Sequence, residues 1–192
     1  MPLAYVLWHS PAAASEGAGG YEPKLLAFHR ALVELAPEGL LSTRVLRFEQ
    51  VAWLPSATPV YEDTYVISGF ETLGTLETVA VSPPLLETHN AVARLAGNAA
   101  AGLYKLHSGQ WQREPPRFAQ WFAKPAGESY DALRQRFDGV AAGDFELWGR
   151  QMVLGPTKEF CLRTHRPLEF ADLRPEQAYV ATSHWAFSAG VG

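Results

Sequence analysis

Polar side chains alternate with apolar ones along one strand-like segment of the sequence, residues 158–165. The polar positions are Glu159, Cys161, Arg163 and His165. Because successive side chains of a strand point to opposite faces, these four share one face and the apolar residues share the other. A few polar groups on an apolar wall are typical of small-molecule sites. The segment predicts either a cavity wall or a face turned to solvent or a partner, and both interpretations stay open.

A second mixed face precedes this segment. Trp148, Arg150 and Met152 lie two residues apart, so a strand would point them in the same direction. An aromatic, a cationic and a flexible apolar side chain together suit an apolar pocket with a polar anchor. The predicted ligand-binding set is Trp148, Arg150, Met152, Cys161 and Arg163. The predicted polar anchors are Arg150, Glu159 and His165.

Three residues are candidates for proton transfer, namely His89, Glu159 and His165. An imidazole such as that of His89 titrates near neutral pH and can act as a general base, although a packed structural histidine is the alternative. Cys161 suggests a nucleophile with His165 as its base. Residues four apart on one strand are about 13 Å apart, however, and a thiol–imidazole pair needs about 3 Å. We therefore predict no covalent catalysis by this cysteine.

The six histidines are scattered, and no two have the spacing of zinc or iron ligands on one element. We therefore predict no metal site and no required cofactor. Haem binding stays open, because haem needs only one axial histidine. His9, His107, His165 and His184 all fall at predicted strand ends.

Composition narrows the classes of partner. The chain has 192 residues, 47% hydrophobic and 19% charged, which is enough apolar material to bury a core. A formal net charge of −4 and scattered basic residues provide no positive field, so we predict no nucleic-acid and no membrane partner. No apolar run reaches the roughly 18 residues of a transmembrane helix. One cysteine and the lack of a signal-peptide pattern predict a cytoplasmic location.

The elements that must position these residues follow a recognisable order through residue 107. Strand-forming runs occupy residues 3–9, 43–53, 64–70 and 102–107. Apolar residues recur at helical spacing from Leu25 to Leu35, and a second helical region is divided into two short helices by Pro83-Pro84. This is the β-α-β-β-α-β order of a ferredoxin-like unit.

The remaining residues follow a similar order. Strands are predicted at 118–123, 145–154, 158–164 and 178–185, a helix from Tyr130 to Val140, and a short piece at 169–177 in place of a second helix. We predict an α+β chain of two tandem ferredoxin-like repeats, residues 1–110 and 111–192, which pack together because each is small.

Four segments resemble a group of uncharacterised bacterial proteins in the dimeric α/β-barrel superfamily. They are Gly74–Ser82, Thr88–Ala93, Arg150–Pro156 and Glu159–Cys161. In that superfamily two ferredoxin-like units pack sheet against sheet, so the resemblance implies antiparallel sheets packed as an α/β barrel. The two units come from two chains or from one duplicated chain, so a homodimer stays open beside a tandem repeat.

The superfamily includes cofactor-independent monooxygenases, haem-degrading and haem-binding proteins and muconolactone-type isomerases, so the resemblance implies no single activity. Our leading hypothesis is that the chain binds a small apolar or aromatic molecule between the two sheets, as a cofactor-independent oxygenase or isomerase. One alternative is a haem-binding protein. The other is a non-enzymatic binding or assembly module whose barrel interior is packed solid.

Overall fold

The computed structural model describes residues 1–12, 20–168, 175 and 177–188. The strands are β1 (Leu3–Pro11), β2 (Leu40–Phe48), β3 (Val60–Ile67), β4 (Ala96–Gly109), β5 (Phe118–Phe122), β6 (Phe145–Arg150), β7 (Phe160–Thr164), β8 (Gln177–Val180) and β9 (Ser183–Ser188). The helices are α1 (Tyr21–Leu35), α2 (Glu71–Ala80), α3 (Leu86–Ala93) and α4 (Tyr130–Gln135). The short piece predicted at 169–177 falls largely outside the described residues.

The nine strands form one antiparallel sheet in the order β8-β5-β7-β6-β4-β1-β3-β2-β9. β1 and β5 are four places apart in that order, which would separate them by about 19 Å in a flat sheet. The ring centroids of Trp8 on β1 and Trp121 on β5 nevertheless lie 5.7 Å apart. The sheet is therefore strongly curled, and its concave side encloses an interior.

One continuous sheet replaces the two packed sheets expected from the sequence. β4 pairs with β6 from Tyr104 opposite Arg150 to Gly109 opposite Glu146, so hydrogen bonding continues from the first part of the chain into the second. The α+β class is confirmed. Strands β1 to β4 lie in the spatial order fourth, first, third, second, and strands β5 to β8 lie in the same order. The boundary at residues 110 and 111 falls between β4 and β5 and stays a prediction.

Proline explains two of the helix boundaries. The Pro83-Pro84 step separates α2 from α3, as predicted, and α1 ends at Leu35, two residues before Pro37. α4 ends at Gln135, earlier than predicted, and the apolar spacing beyond it continues as single turns such as that closed by Val140 N and the carbonyl of Phe137. No helix in the described ranges is long and apolar enough to cross a membrane.

The last predicted strand, 178–185, is two strands that lie at opposite edges of the sheet. β8 pairs with β5, and β9 pairs with β2. Between them, Ala181 N donates to the carbonyl of Arg117 and Thr182 N donates to the carbonyl of Arg47. The chain passes from one edge to the other within two residues because the curl has brought those edges together.

Aromatic side chains fill the interior. Trp8, Trp53, Tyr104 and Trp121 contact one another edge to face, with ring centroids 5.2 to 6.1 Å apart. The void that remains there measures about 10 Å³, close to the space of one water molecule. The interior is tightly packed around this void, and the expectation that a ligand lies between the two halves stays a prediction.

Two buried ion pairs cross this core. Nη2 of Arg44 on β2 lies 2.7 Å from Oε1 of Glu146 on β6, although β2 and β6 are four places apart in the sheet. Arg163 on β7 lies 2.6 Å from Glu62 on β3, again four places apart. The other carboxylate oxygens accept from indoles: Trp8 donates to Glu62 and Trp148 donates to Glu146, both at 2.8 Å.

The Glu146 carboxylate is completely buried, and both of its oxygens accept hydrogen bonds. Burial raises its pKa, but the Arg44 guanidinium, the backbone N–H of Gln112 and the Trp148 indole outweigh burial, and the pKa lies below its usual range. A buried carboxylate of this kind stabilises the fold only while its cation is present, because removing one partner leaves an uncompensated charge.

We expect Arg44→Met to lower the free energy of unfolding by about 3–5 kcal/mol, because Glu146 would remain buried without a cation. Urea unfolding followed by tryptophan fluorescence measures this loss. The matched control is Arg166→Met, which removes an exposed ion pair with Asp144 and should cost less than about 1 kcal/mol. Similar losses in the two variants would show that the crossing pair is not a major contact.

Candidate functional site

A cavity of about 800 Å³ lies on the outer side of the curled sheet, between β1, β3 and β4 and helices α1, α2 and α3. Its wall is mostly apolar and includes Leu25, Phe28, Leu32, Leu76, Val92 and Leu103. Apart from Leu103, the lining residues of β4 are small: Ala96, Ala99, Ala101 and Gly102. These short side chains leave space beside the strand that the helices do not fill.

A buried polar cluster interrupts this apolar wall. The Oδ2 atom of Asp63 on β3 lies 2.9 Å from Nε2 of His9 on β1 and 3.3 Å from Nε2 of His29 on α1. Leu7 is the residue directly opposite Asp63 in the β1–β3 register, so His9 sits two positions further along the same face. The three side chains are at most 3% exposed.

Burial and the two imidazoles have opposite effects on the pKa of Asp63. Burial raises the pKa of this carboxyl, but the electrostatic effect of His9 and His29 outweighs burial and holds the pKa well below its usual range. Asp63 is therefore ionised at neutral pH. An ionised carboxylate accepts hydrogen bonds and cannot donate one.

Tyr21, in the first turn of α1, extends the cluster toward the cavity. Its hydroxyl lies 2.5 Å from Nδ1 of His9, and both residues belong to the cavity lining. Burial, Asp63 and Tyr61 all raise the pKa of Tyr21, so it remains a phenol. Tyr21, His9 and Asp63 thus form a continuous chain of contacts, with the tyrosine and the carboxylate on opposite sides of the imidazole.

Aromatic rings hold both imidazoles in place. His9 stacks on Tyr61, with centroids 6.1 Å apart and planes 9° from parallel. His29 stacks on Tyr65 at 5.3 Å and 17°. The Tyr65 hydroxyl also donates to Oδ2 of Asp63 at 3.4 Å. These contacts fix the ring orientations, which proton transfer between positioned groups requires.

The structure places one predicted catalytic candidate in this cavity. His89 on α3 belongs to the lining, with its ring 5.9 Å from that of Phe28 and Nδ1 3.5 Å from Oδ1 of Asn90. It lies half-buried. The catalytic role of His89 stays a prediction.

Three of the predicted ligand-binding residues meet in the packed core. Trp148, Cys161 and Arg163 surround the void of about 10 Å³. Burial raises the pKa of the Cys161 thiol to about 12, so this thiol is protonated at neutral pH. Arg163 is committed to its ion pair with Glu62. The ligand-binding role of these residues stays a prediction.

The remaining candidates lie apart from one another. Arg150 braces the loop that follows β6 through the carbonyls of Gly155 and Thr157, and Met152 on that loop is 75% exposed. Glu159 accepts a hydrogen bond from Tyr130 at 2.9 Å. His165 is exposed at the end of β7. The structure does not bring these side chains together into one site.

Sequence reasoning missed His9, Tyr21, His29 and Asp63 as a group. The predicted strand at 64–70 starts four residues later than β3, so Asp63 fell outside it. A signal was nevertheless present, because Glu62 and Asp63 are two adjacent acids inside a run of aromatic and β-branched residues. Charged residues in the middle of a buried strand need partners, which makes them candidates for a site.

The donor groups of this cluster do not form a metal-binding arrangement. His9 and His29 contact the same oxygen of Asp63, and within the described ranges no three His, Cys, Asp or Glu side chains are placed to hold a metal ion.

Three solved structures are similar to this chain. A candidate monooxygenase from Fusobacterium nucleatum subsp. nucleatum matches 98% of this chain and 95% of its own, with a TM-score of 0.64 and 11% identity. A candidate monooxygenase from Lactobacillus acidophilus matches 97% and 92%, with a TM-score of 0.54 and 8% identity. An anthrone oxidase-like protein matches 98% and 93%, with a TM-score of 0.50 and 12% identity.

At these identities the similarity shows that the chain shares the fold of these three structures, and no more. The sequence matches no family model and no curated protein sequence. The activity must therefore be argued from the side chains of the cavity.

Asp63 should make stability depend on pH on the acid side. A carboxyl whose pKa is lower in the folded state stabilises the fold above its unfolded pKa of about 3.9, and this contribution is lost as the pH falls through the folded value. We expect the gap in unfolding free energy between wild type and Asp63→Asn to narrow from about pH 5 downward. Urea unfolding at a series of pH values measures the gap. Asp131→Asn, at an exposed ion pair, is the control, and a gap independent of pH would contradict the ion-pair assignment.

Proposed function

We propose that the protein binds a small apolar, partly aromatic molecule in the cavity between the sheet and helices α1 to α3, and oxidises it with O2 as a cofactor-independent oxygenase. One observation carries this proposal. Tyr21, His9 and Asp63 meet in contact at the wall of an apolar cavity of about 800 Å³. Small-molecule sites typically measure roughly 300–1,000 Å³ and combine apolar walls with a few positioned polar groups.

The three side chains provide a route for a proton. In the tautomer of His9 that carries its proton on Nε2, beside Asp63, the Tyr21 hydroxyl can donate to Nδ1. A substrate group at the Tyr21 oxygen can give its proton to Tyr21 while the tyrosine proton passes to His9. The imidazolium that forms lies 2.9 Å from the Asp63 carboxylate, which stabilises it as the carboxylate of a catalytic triad does.

The deprotonated substrate carries an electron pair that O2 can accept. For a methylene group beside an aromatic ring the overall change is CH2 + O2 → C=O + H2O, in which the carbon is oxidised and O2 is reduced to water. One of the proteins with this fold is anthrone oxidase-like, and anthrone contains a methylene of this kind. Anthrone is therefore a rational first substrate.

An isomerase would use the same first step. If the proton returned to a different carbon, the double bond would move and no O2 would be consumed. O2 uptake therefore separates the oxygenase from the isomerase, and the two share the requirement for Tyr21 and His9.

Two alternatives are less well supported by this cavity. The propionates of haem need cationic partners, and none of the lining residues in the described part of the chain is Lys or Arg. The packed core favours an assembly role for the inner face of the sheet, where it joins the two parts of the chain. Neither haem binding nor an assembly role accounts for the apolar cavity on the outer face of the sheet, with its cluster of buried polar side chains.

Duplication of a ferredoxin-like unit accounts for the architecture, and we include it in the proposal. Strands β1 to β4 and strands β5 to β8 follow the same spatial order in the sheet. The ion pairs exchange sign between equivalent strands: Arg44 and Glu62 lie on β2 and β3, whereas Glu146 and Arg163 lie on β6 and β7. One chain thereby supplies both partners of each pair. A homodimer and a cytoplasmic location stay predictions.

We expect the protein to consume O2 with anthrone faster than buffer does, and to form one anthraquinone for each O2. Tyr21→Phe and His9→Gln should each lower the rate at least about 100-fold, since a positioned proton acceptor typically contributes that much. An oxygen electrode and chromatography of the product measure both quantities. His107→Gln, whose ring packs on Phe160 outside the cavity, should keep the wild-type rate.

The outcomes of this experiment are distinct. Conversion of anthrone without O2 uptake would support an isomerase. A wild-type rate equal to that of buffer would contradict oxygenase activity toward this class of molecule, and equal loss in all three variants would point to a general structural effect.

A further inference from the structure

Tyr5 is a phenol in the cavity wall whose hydroxyl forms no hydrogen bond with any of the described residues. It lies on β1 opposite Tyr65 of β3 and Leu103 of β4, so strands flank it on both sides. Its ring stacks on that of Tyr65, with centroids 5.9 Å apart. Tyr5 is half-buried although helices cover this face of the sheet, and the accessible part of its side chain therefore lies in the cavity.

The other two hydroxyls of the cavity wall already have partners. Tyr21 contacts His9 at 2.5 Å, and Tyr65 donates to Asp63 at 3.4 Å. Burial and, after it, the charge of Asp63 raise the pKa of both Tyr5 and Tyr21. Both phenols therefore lie near the same carboxylate and stay protonated at neutral pH. Of the three, Tyr5 is the one whose O–H is available to a bound molecule.

The position of Tyr5 along β1 places it across the cavity wall from the proton route. Tyr5 and His9 share one face of the strand, with their Cα atoms about 13 Å apart, and Leu7 lies between them in the lining. Tyr21 meets the ring of His9. A flat molecule that lies over Leu7 can therefore turn one edge to Tyr21 and the opposite edge to Tyr5. Anthrone has the matching form, because its methylene and its carbonyl are on opposite sides of the central ring.

Loss of the methylene proton moves negative charge to the far side of such a molecule. The C–H electron pair is delocalised through the rings onto the carbonyl oxygen, while the proton reaches His9 through Tyr21. The imidazolium then compensates the charge of Asp63, 2.9 Å away, and the uncompensated charge is the one on the substrate oxygen. An oxyanion in an apolar cavity is unfavourable without a donor. A donor fixed where this charge develops lowers the barrier.

We propose that Tyr5 is a further catalytic residue, whose O–H donates to the carbonyl oxygen of the substrate and stabilises the oxyanion that forms when Tyr21 takes the methylene proton. Tyr5 keeps its own proton throughout. This inference rests on the proposed function, and it narrows the substrate class to aromatic ketones in which the carbonyl is conjugated with the carbanion formed at the methylene.

Two measurements on the full chain with anthrone test this role. Without O2, the anthrolate anion absorbs at longer wavelengths than the ketone, so the ratio of bound anion to bound ketone is read at one fixed pH. We expect Tyr5→Phe to lower this ratio at least about tenfold, as the loss of a hydrogen bond to a charged group implies. With O2, it should lower kcat at least about 100-fold, as the loss of an oxyanion donor does, and change KM by less than about tenfold.

Two further variants assign the effect to Tyr5. Tyr130→Phe is the matched control, because it removes the hydroxyl of an exposed tyrosine outside the cavity and should keep the wild-type ratio and kcat. His89→Gln changes another polar side chain of the lining. It should keep the wild-type anion ratio if Tyr5 is the donor.

The outcomes separate this role from the proposed function. A wild-type kcat in Tyr5→Phe would overturn the role of Tyr5 and leave the oxygenase intact, and so would a loss of anion in His89→Gln alone. A wild type that neither ionises nor oxidises anthrone would overturn both proposals. If Tyr5→Phe does not fold, the infrared C=O stretch of anthrone bound to the wild type without O2 decides. A frequency as high as in hexane would show that no donor meets the carbonyl.

Discussion

The charged, aromatic core of the curled sheet is the constraint on which the rest of the structure depends. Arg44 pairs with Glu146 and Arg163 pairs with Glu62, each across four strands of the sheet. All four groups are buried. Either part of the chain alone would therefore leave these charges exposed or buried without a partner. The curl that brings the pairs together also brings the two edges of the sheet close enough for β8 and β9 to follow one another directly.

The outer face of the sheet is used differently in the two parts of the chain. In the first part, alanines and a glycine on β4 line the cavity and leave space between the strand and the helices. In the second part, phenylalanines fill the corresponding layer, with Phe137 stacked on Phe145 at 5.0 Å and Phe122 on Phe160 at 5.7 Å. If the two parts derive from one unit, one copy keeps room for a ligand while the other contributes packing.

The chemistry of the cavity comes from three elements that meet at one carboxylate. β1 supplies His9, β3 supplies Asp63, and α1 supplies both Tyr21 and His29. None of these residues would have unusual properties on an exposed surface. The two imidazoles lower the pKa of Asp63 against the effect of burial, and burial together with Asp63 raises the pKa of Tyr21. The related structures share the fold at 8 to 12% identity, so this local arrangement carries the functional argument.

The sequence by itself determined the α+β class, the order of the elements, the division of the second helical region at Pro83-Pro84 and the apolar face of α1. These features depend on local periodicity and on the backbone restriction of proline, which a single chain displays directly. Only the tertiary structure decided that β4 pairs with β6, that Trp148, Cys161 and Arg163 lie in a packed core, and that Asp63 lies between His9 and His29. These outcomes depend on contacts between distant residues, such as His29 and Asp63, 34 positions apart, and Arg44 and Glu146, 102 positions apart. Alternation along one strand says which residues share a face without saying what covers that face.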